Sequence, residues 1–325
     1  MIELVAFGEV NPDIVVTGVG ELAFGQSEDI IGVTTMTIGS SVAIMASGAA
    51  RLGVAVGLVG VIGDDGFGAF MLERLAERGV DTSLVRTITG GRTGSSVILV
   101  RADDANDRHI LTDFGVMGDL LATDVALDQL PDLRHLHVGS WFLQTGAVAA
   151  LPQLLKAVRA QGITTSVDPN DDPVREWDLG LPAALVDVDI LFCNEPEALG
   201  LARSEAGRLD AARQLLARMP TDSPSVVVLK CGAEGAYALT REGAWHVQAP
   251  VMDVVDTVGA GDSLTAGFLA ARLSGEPIGE ALRLGVAAGS LSTQASGGTT
   301  AQPELGAALE LARTLKVTHE PVLPH

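Results

Sequence analysis

Asp256-Thr257-Val258-Gly259-Ala260-Gly261-Asp262-Ser263 runs directly into Leu264–Arg272, a good helix-forming stretch. Small residues let the backbone N–H groups at 259–262 point outward together, and the helix behind them adds partial positive charge. The product is an anion hole that needs no lysine. At its mouth, Asp262 can accept a hydroxyl proton while the amides stabilise a transferring phosphoryl group. The same residues also suit a plain tight turn with Asp262 as helix N-cap.

Composition narrows the chemistry. The 325-residue chain has 21 Lys plus Arg against 41 Asp plus Glu, a formal charge of −20. Its lysines are Lys156, Lys230 and Lys316, none in a Gly-Lys-Ser/Thr step, so a Walker-type loop is excluded. No G-x-G-x-x-G occurs, which argues against a dinucleotide-binding oxidoreductase. Phosphate handling would fall to backbone amides, a metal and a few arginines. An acidic chain without a basic patch excludes nucleic acid as a partner and disfavours anionic membranes. Cys193 and Cys231 sit in apolar, strand-like surroundings, so a reducing, cytoplasmic setting is expected.

Other residues carry two readings each. Asn194 and Glu197, three apart, can share a helix face as oxygen donors for Mg²⁺, or form a capping box, or both. Asp13, after an apolar strand, can meet paired hydroxyls or serve as a turn aspartate. Arg101 and Arg108 can reach an anionic substrate or pair with Asp103, Asp104 and Asp107. His135 and His137 alternate on a strand without zinc-spaced partners and read as core histidines.

The elements that must hold these residues are legible as β–α alternation. Buried strands are expected at 4–7, 55–60, 133–138, 164–168, 190–193 and 226–230, parallel and covered on both faces. Helices are expected near 41–52, 66–78, 145–160, 207–218 and 263–274, several stopped by glycine. This pattern implies a doubly wound α/β sheet. Two stretches break it: 11–38, and 92–113, where two strand runs flank an acidic turn. Together they can form a small sheet projecting from the main domain. Residues 314–325 read as a loose tail.

Asp-Thr-x-Gly-Ala-Gly-Asp resembles the signature of the ribokinase (PfkB) family of carbohydrate kinases. The resemblance covers nearly the whole chain: Gly8-Glu9-Val10-Asn11-Pro12-Asp13, Gly60–Gly68, Asp168-Pro169-Asn170, Asn194-Glu195-Pro196-Glu197 and Gly232-Ala233-Glu234-Gly235 match family elements in order. It implies a three-layer α/β/α sandwich over 1–313, with a small protruding β-sheet lid from segments 11–38 and 92–113. It also implies an ATP-dependent kinase acting on a hydroxyl of a sugar or sugar-like molecule. A nucleoside kinase of the same fold, or a non-catalytic sugar-binding regulator, are the alternatives. In this scheme Asp262 is the base and Gly259, Ala260 and Gly261 form the anion hole. Asn11, Asp13, Gly39, Ser40, Asn170 and Arg108 face the substrate. Lys230, Gly232, Gly235 and Thr257 lie on the nucleotide side. Asn194 and Glu197 organise Mg²⁺, and Asp256 helps hold a monovalent cation such as K⁺. The family pattern expects asparagine at position 44, where this chain has Ile44, so standard ribose or fructose recognition is not expected. Ser41–Ala46 lacks the lysine common in members acting on sugar phosphates, which implies an unphosphorylated substrate. A homodimer paired through the lids is a further expectation.

Overall fold

The computed structural model describes residues 1–22, 25, 28–101 and 108–321. The main sheet contains β1 (Leu4–Phe7), and the chain then leaves it for β2 (Pro12–Val19) and β3 (Thr34–Ile38). Helix α1 (Ser41–Arg51) leads back to β4 (Val56–Gly63), α2 (Gly66–Glu77) and β5 (Val85–Ile88). After β6 (Ser95–Arg101) and β7 (Arg108–Asp113) come β8 (His135–Gly139), α3 (Leu151–Ala160), β9 (Thr164–Asp168) and the short α4 (Leu181–Ala184). Next are β10 (Ile190–Asn194), α5 (Glu195–Ala202), α6 (Arg208–Leu216), β11 (Val226–Lys230), β12 (Ala236–Thr240) and β13 (Gly243–Val247). The chain ends in α7 (Ala260–Leu273), α8 (Ile278–Ser292), α9 (Leu305–Thr314) and β14 (Val317–Pro321).

The ten-stranded sheet runs β14-β13-β12-β11-β10-β9-β8-β1-β4-β5. From β11 to β5 the pairs are parallel, and β12–β14 add an antiparallel edge. The strands are apolar on both faces because both are covered. Leu4 and Ala6 pack into one core with α1, α7 and α8, while Val5 and Phe7 pack into the other with α3, α5 and α6. Val226 and Val228 divide from Val227 and Leu229 in the same way, the period of two that a strand between helical layers requires. The strand order reverses at β1/β8, though the strands stay parallel: β1 feeds outward to β4 and β5, and β8 feeds the other way. A crevice at the carboxyl ends of the strands is the expected ligand position at such a switch point.

The two pattern-breaking stretches join into one four-stranded sheet, β3-β2-β6-β7. Strand β7 is exposed along its length. The acidic turn with Asp103, Asp104 and Asp107 lies outside the described residues.

Three expectations are corrected. The tail at 314–325 is not loose throughout: β14 pairs antiparallel with β13, and His319 stacks on Trp245 at 4.2 Å between ring centroids. Its mixed sequence hides it because an edge strand needs no continuous apolar run. Helix α3 begins at Leu151 rather than near 145. Helix α7 begins at Ala260, so Asp262 lies in its first turn and Gly259, at φ 71°, occupies the N-cap.

Candidate active site

Strands β9, β10 and β11 end in Asp168, Asn194 and Lys230, so these side chains leave the sheet side by side at its carboxyl edge. Lys230 Nζ donates to both carboxylate oxygens of Asp168, at 3.0 and 2.7 Å. Thr265 Oγ1, in α7, donates to the same carboxylate at 3.2 Å. Burial alone would lower the Lys230 pKa, but Asp168, Glu197 and Asp262 outweigh it and raise it.

Asp262 sits over this corner. Gly259 takes the left-handed conformation that opens the turn, and a Cβ there would come within 2.8 Å of the Gly298 backbone. Burial pushes the Asp262 carboxyl up to about 8. Lys230 opposes this, while Asp168, Glu9 and Glu197 reinforce it. A carboxyl poised near neutrality suits a general base.

Asn194 and Glu197 form a capping box. Glu197 N–H donates to Asn194 Oδ1 at 3.0 Å, Asn194 N–H to Glu197 Oε2 at 2.8 Å, and Asn194 Nδ2 to Glu197 Oε1 at 2.6 Å. Glu197 is buried, and desolvation first, then Asp168, raise its pKa against Lys230. Asp256 serves a different corner. It accepts from Val258 N–H and Gly297 N–H at 2.9 Å each, and Arg108 approaches it at 3.9 Å. Among the described residues no group of three or more His, Cys, Asp or Glu side chains gathers as a metal cage.

On the other side of the crevice, Asp13 lies against Gly39 so closely that a Cβ on residue 39 would collide with its carboxylate. Burial and Glu9 push the Asp13 carboxyl up to about 7, with Arg108 opposing. Asn11 Nδ2 is 3.5 Å from both Asp13 Oδ1 and Ser96 Oγ. Ser40 has φ 63° and spends its hydroxyl internally: it donates to Glu9 O at 2.6 Å and caps α1 through Ala43 N–H at 3.1 Å. Asn170 Nδ2 donates to Ser140 Oγ at 2.7 Å.

Sequence reasoning quoted Glu9 but gave it no role, and it missed Ser140 and Gln144. Glu9 is 3% exposed and accepts from Ser140 Oγ and Gln144 Nε2, both at 2.8 Å. Its charge pushes up the carboxyls of both Asp13 and Asp262. A charged residue placed directly after a wholly buried strand was the available signal. Nothing local distinguishes Gln144.

Ile44 is 3% exposed and turned toward the glycines, with a Cβ on Gly259 or Gly298 falling within 3 Å of it. Its place is behind the turn at Gly259. Gly232 has φ 55° and open space where a Cβ would stand, leaving the β11–β12 turn bare-faced; Gly235 has φ 85°. Thr257 is exposed on the turn entering Gly259. His135 and His137 are core residues bonded to Ser166 at 2.7 and 2.8 Å, and burial holds both near 3 and neutral.

A three-layer fold with a Gly-Ala-Gly turn, a carboxylate in the following helical turn and a second carboxylate across the crevice defines a phosphotransferase with an alcohol group as acceptor. The chain belongs to the pfkB family of carbohydrate kinases, whose pattern matches residues 1–305. It is 29% identical over 301 residues to an ATP-dependent ribose-1-phosphate kinase of Halopiger xanaduensis, covering 93% of this chain and 95% of that one. It is 30% identical over 318 residues to a ribokinase of Arabidopsis thaliana, covering 95% and 81%. The crystal structure of a putative ribokinase II from E. coli, in complex with ATP and Mg²⁺, superposes with a TM-score of 0.83 at 25% identity, over 96% of this chain and 99% of that one.

Proposed function

We propose that this kinase transfers the γ-phosphoryl group of ATP to a hydroxyl of an unphosphorylated sugar or sugar-like molecule, with Asp262 as base. The observation carrying this is the left-handed turn at Gly259 that opens α7 and sets Asp262 in its first turn, in a chain of the pfkB family. In this reading a polyhydroxy substrate anchored on Asp13 presents a hydroxyl to Asp262. Asn11, Gly39, Ser40, Asn170 and Arg108 border that substrate. Asp262 takes the hydroxyl proton as the oxygen attacks phosphorus, and the 259–261 turn with the α7 N-terminus receives the phosphoryl charge. Gly232, Gly235 and Thr257 border the nucleotide.

Asn194 and Glu197 fit Mg²⁺ held through its waters. Their donors are oxygens, and each Glu197 oxygen that accepts from Asn194 keeps a further lone pair. Bound there, the ion neutralises phosphate charge. Asp256, with carbonyls of 295–298, is the candidate for a monovalent cation.

Asp13, Glu9 and Asp262 make the crevice acidic, and Arg108 is already shared with Asp256. That balance favours a neutral acceptor over a sugar phosphate. The second sheet acts as lid, and its exposed Met36, Ile110 and Leu111 support pairing with a second copy. The test is Mg²⁺-dependent ADP release across free pentoses, hexoses, nucleosides and ribose 1-phosphate. Turnover with a neutral sugar or nucleoside is expected. Turnover confined to ribose 1-phosphate overturns the substrate class, and binding without ADP release overturns the kinase assignment.

A further inference from the structure

We infer that Lys230 and Asp168 form a positioning device for Asp262: the pair clasps α7 to the sheet edge and sets a positive charge opposite the base. This rests on the reading of Asp262 as base. It assigns Lys230 to that carboxylate rather than to the nucleotide.

The geometry is mechanical first. Lys230 ends β11 and Asp168 ends β9, with β10 between them, so the lysine spans a whole strand to reach its partner. The ammonium engages both carboxylate oxygens, and the side chains are only 12% and 4% exposed, so water screens the pair little. Thr265 Oγ1 joins the same carboxylate. Residue 265 lies three after 262 and thus on the same helix face. The lysine also lies against the first turn of α7: a Cβ on Gly261 would be 3.4 Å from Lys230 Cδ and 3.6 Å from Nζ. Two of the three ammonium protons are committed to Asp168, leaving one on the α7 side.

The charge follows from that placement. Asp262 is faced by Lys230 from β11, Asp168 from β9, Glu197 from α5 and Glu9 after β1. Of these, Lys230 alone favours the ionised carboxylate. Without it, like charges and burial hold the proton on Asp262 more firmly and deplete further the carboxylate form, already the minority at neutral pH.

The test compares full-length wild type, Lys230→Met, Lys230→Arg, the double variant Asp168→Asn/Lys230→Met, and Asp262→Asn. It reads kcat/KM from pH 5.5 to 9.5, ADP affinity by calorimetry, and thermal melts. In Lys230→Met the acid limb should move up by about one pH unit or more, with roughly tenfold loss at pH 7 recovered at higher pH. Lys230→Arg should restore most of the limb, and ADP affinity should change less than about threefold. The double variant leaves no unpaired carboxylate at 168. The Asp168 charge that raises Asp262 is lost with the lysine that lowers it, so the limb should still move up, by less than in Lys230→Met. This holds the test open where Lys230→Met fails to fold. An unmoved limb with uniform loss across pH, or a loss residing in ADP affinity, overturns the inference. Full turnover by Asp262→Asn would instead overturn the base assignment itself.

Discussion

Asp262 is asked to be uncomfortable and useful together. Its carboxyl is held at about 8 by burial, so the competent carboxylate form accumulates as pH rises through that value. kcat/KM, which reports the free enzyme, should therefore climb with pH through about 8. The sign for stability is opposite. A carboxyl whose folded pKa is raised costs nothing well below pH 4, and its penalty is complete above the folded value. Asp262→Asn should thus raise Tm by about 2–4 °C near pH 9 and hardly at all near pH 4, as read by calorimetry. At Gly259 the left-handed backbone and the nearness of Gly298 and Ile44 leave no room for a methyl. Gly259→Ala should cost on the order of 1–3 kcal/mol and most of the turnover, measured by urea melts and steady-state rates. The proposed base was readable from its motif because the physics is local: small residues, a helix start and a carboxylate. Glu9, Ser140 and Gln144 were not, because their partnership joins positions more than 130 residues apart. Ile44 was legible as a departure, but its place behind the glycines was not.

At the scale of elements, periodicity located the buried strands well because apolar runs covered on both sides have no competing signal. It did worse where tertiary contacts decide. Helix α7 starts three residues earlier than its apolar stretch suggests, since glycine supplies the N-cap conformation. Strand β14 exists only by pairing with β13. Asn194 and Glu197 show how one motif can serve two ends: the capping box starts α5 at the strand end, and in the proposed scheme the same oxygens meet the waters of Mg²⁺. Asn194→Ala should cost about 1 kcal/mol through the lost cap and should also raise the Mg²⁺ concentration for half-maximal turnover several-fold. A cap-only role would show the first effect in chemical denaturation without the second in a Mg²⁺ titration.

For the whole molecule, the −20 charge and three lysines describe a surface more than a site. In the proposed scheme phosphate is met by a turn, a helix end and oxygen ligands, while one lysine is kept inside among carboxylates. The second sheet brings β2 and β7 over the crevice, with Arg108 reaching Asp256 and influencing Asp13. Its exposed apolar side chains predict association: Ile110→Lys/Leu111→Lys should convert a dimer to a monomer in sedimentation, whereas a monomeric wild type would refute lid pairing. The most direct measurement is label transfer from γ-labelled ATP to the best neutral acceptor by wild type and Asp262→Asn, each at its optimal pH. Transfer by wild type and a loss of about 10²–10⁴-fold in the variant, with ADP affinity kept, is the predicted result. Equal transfer by both proteins would contradict it.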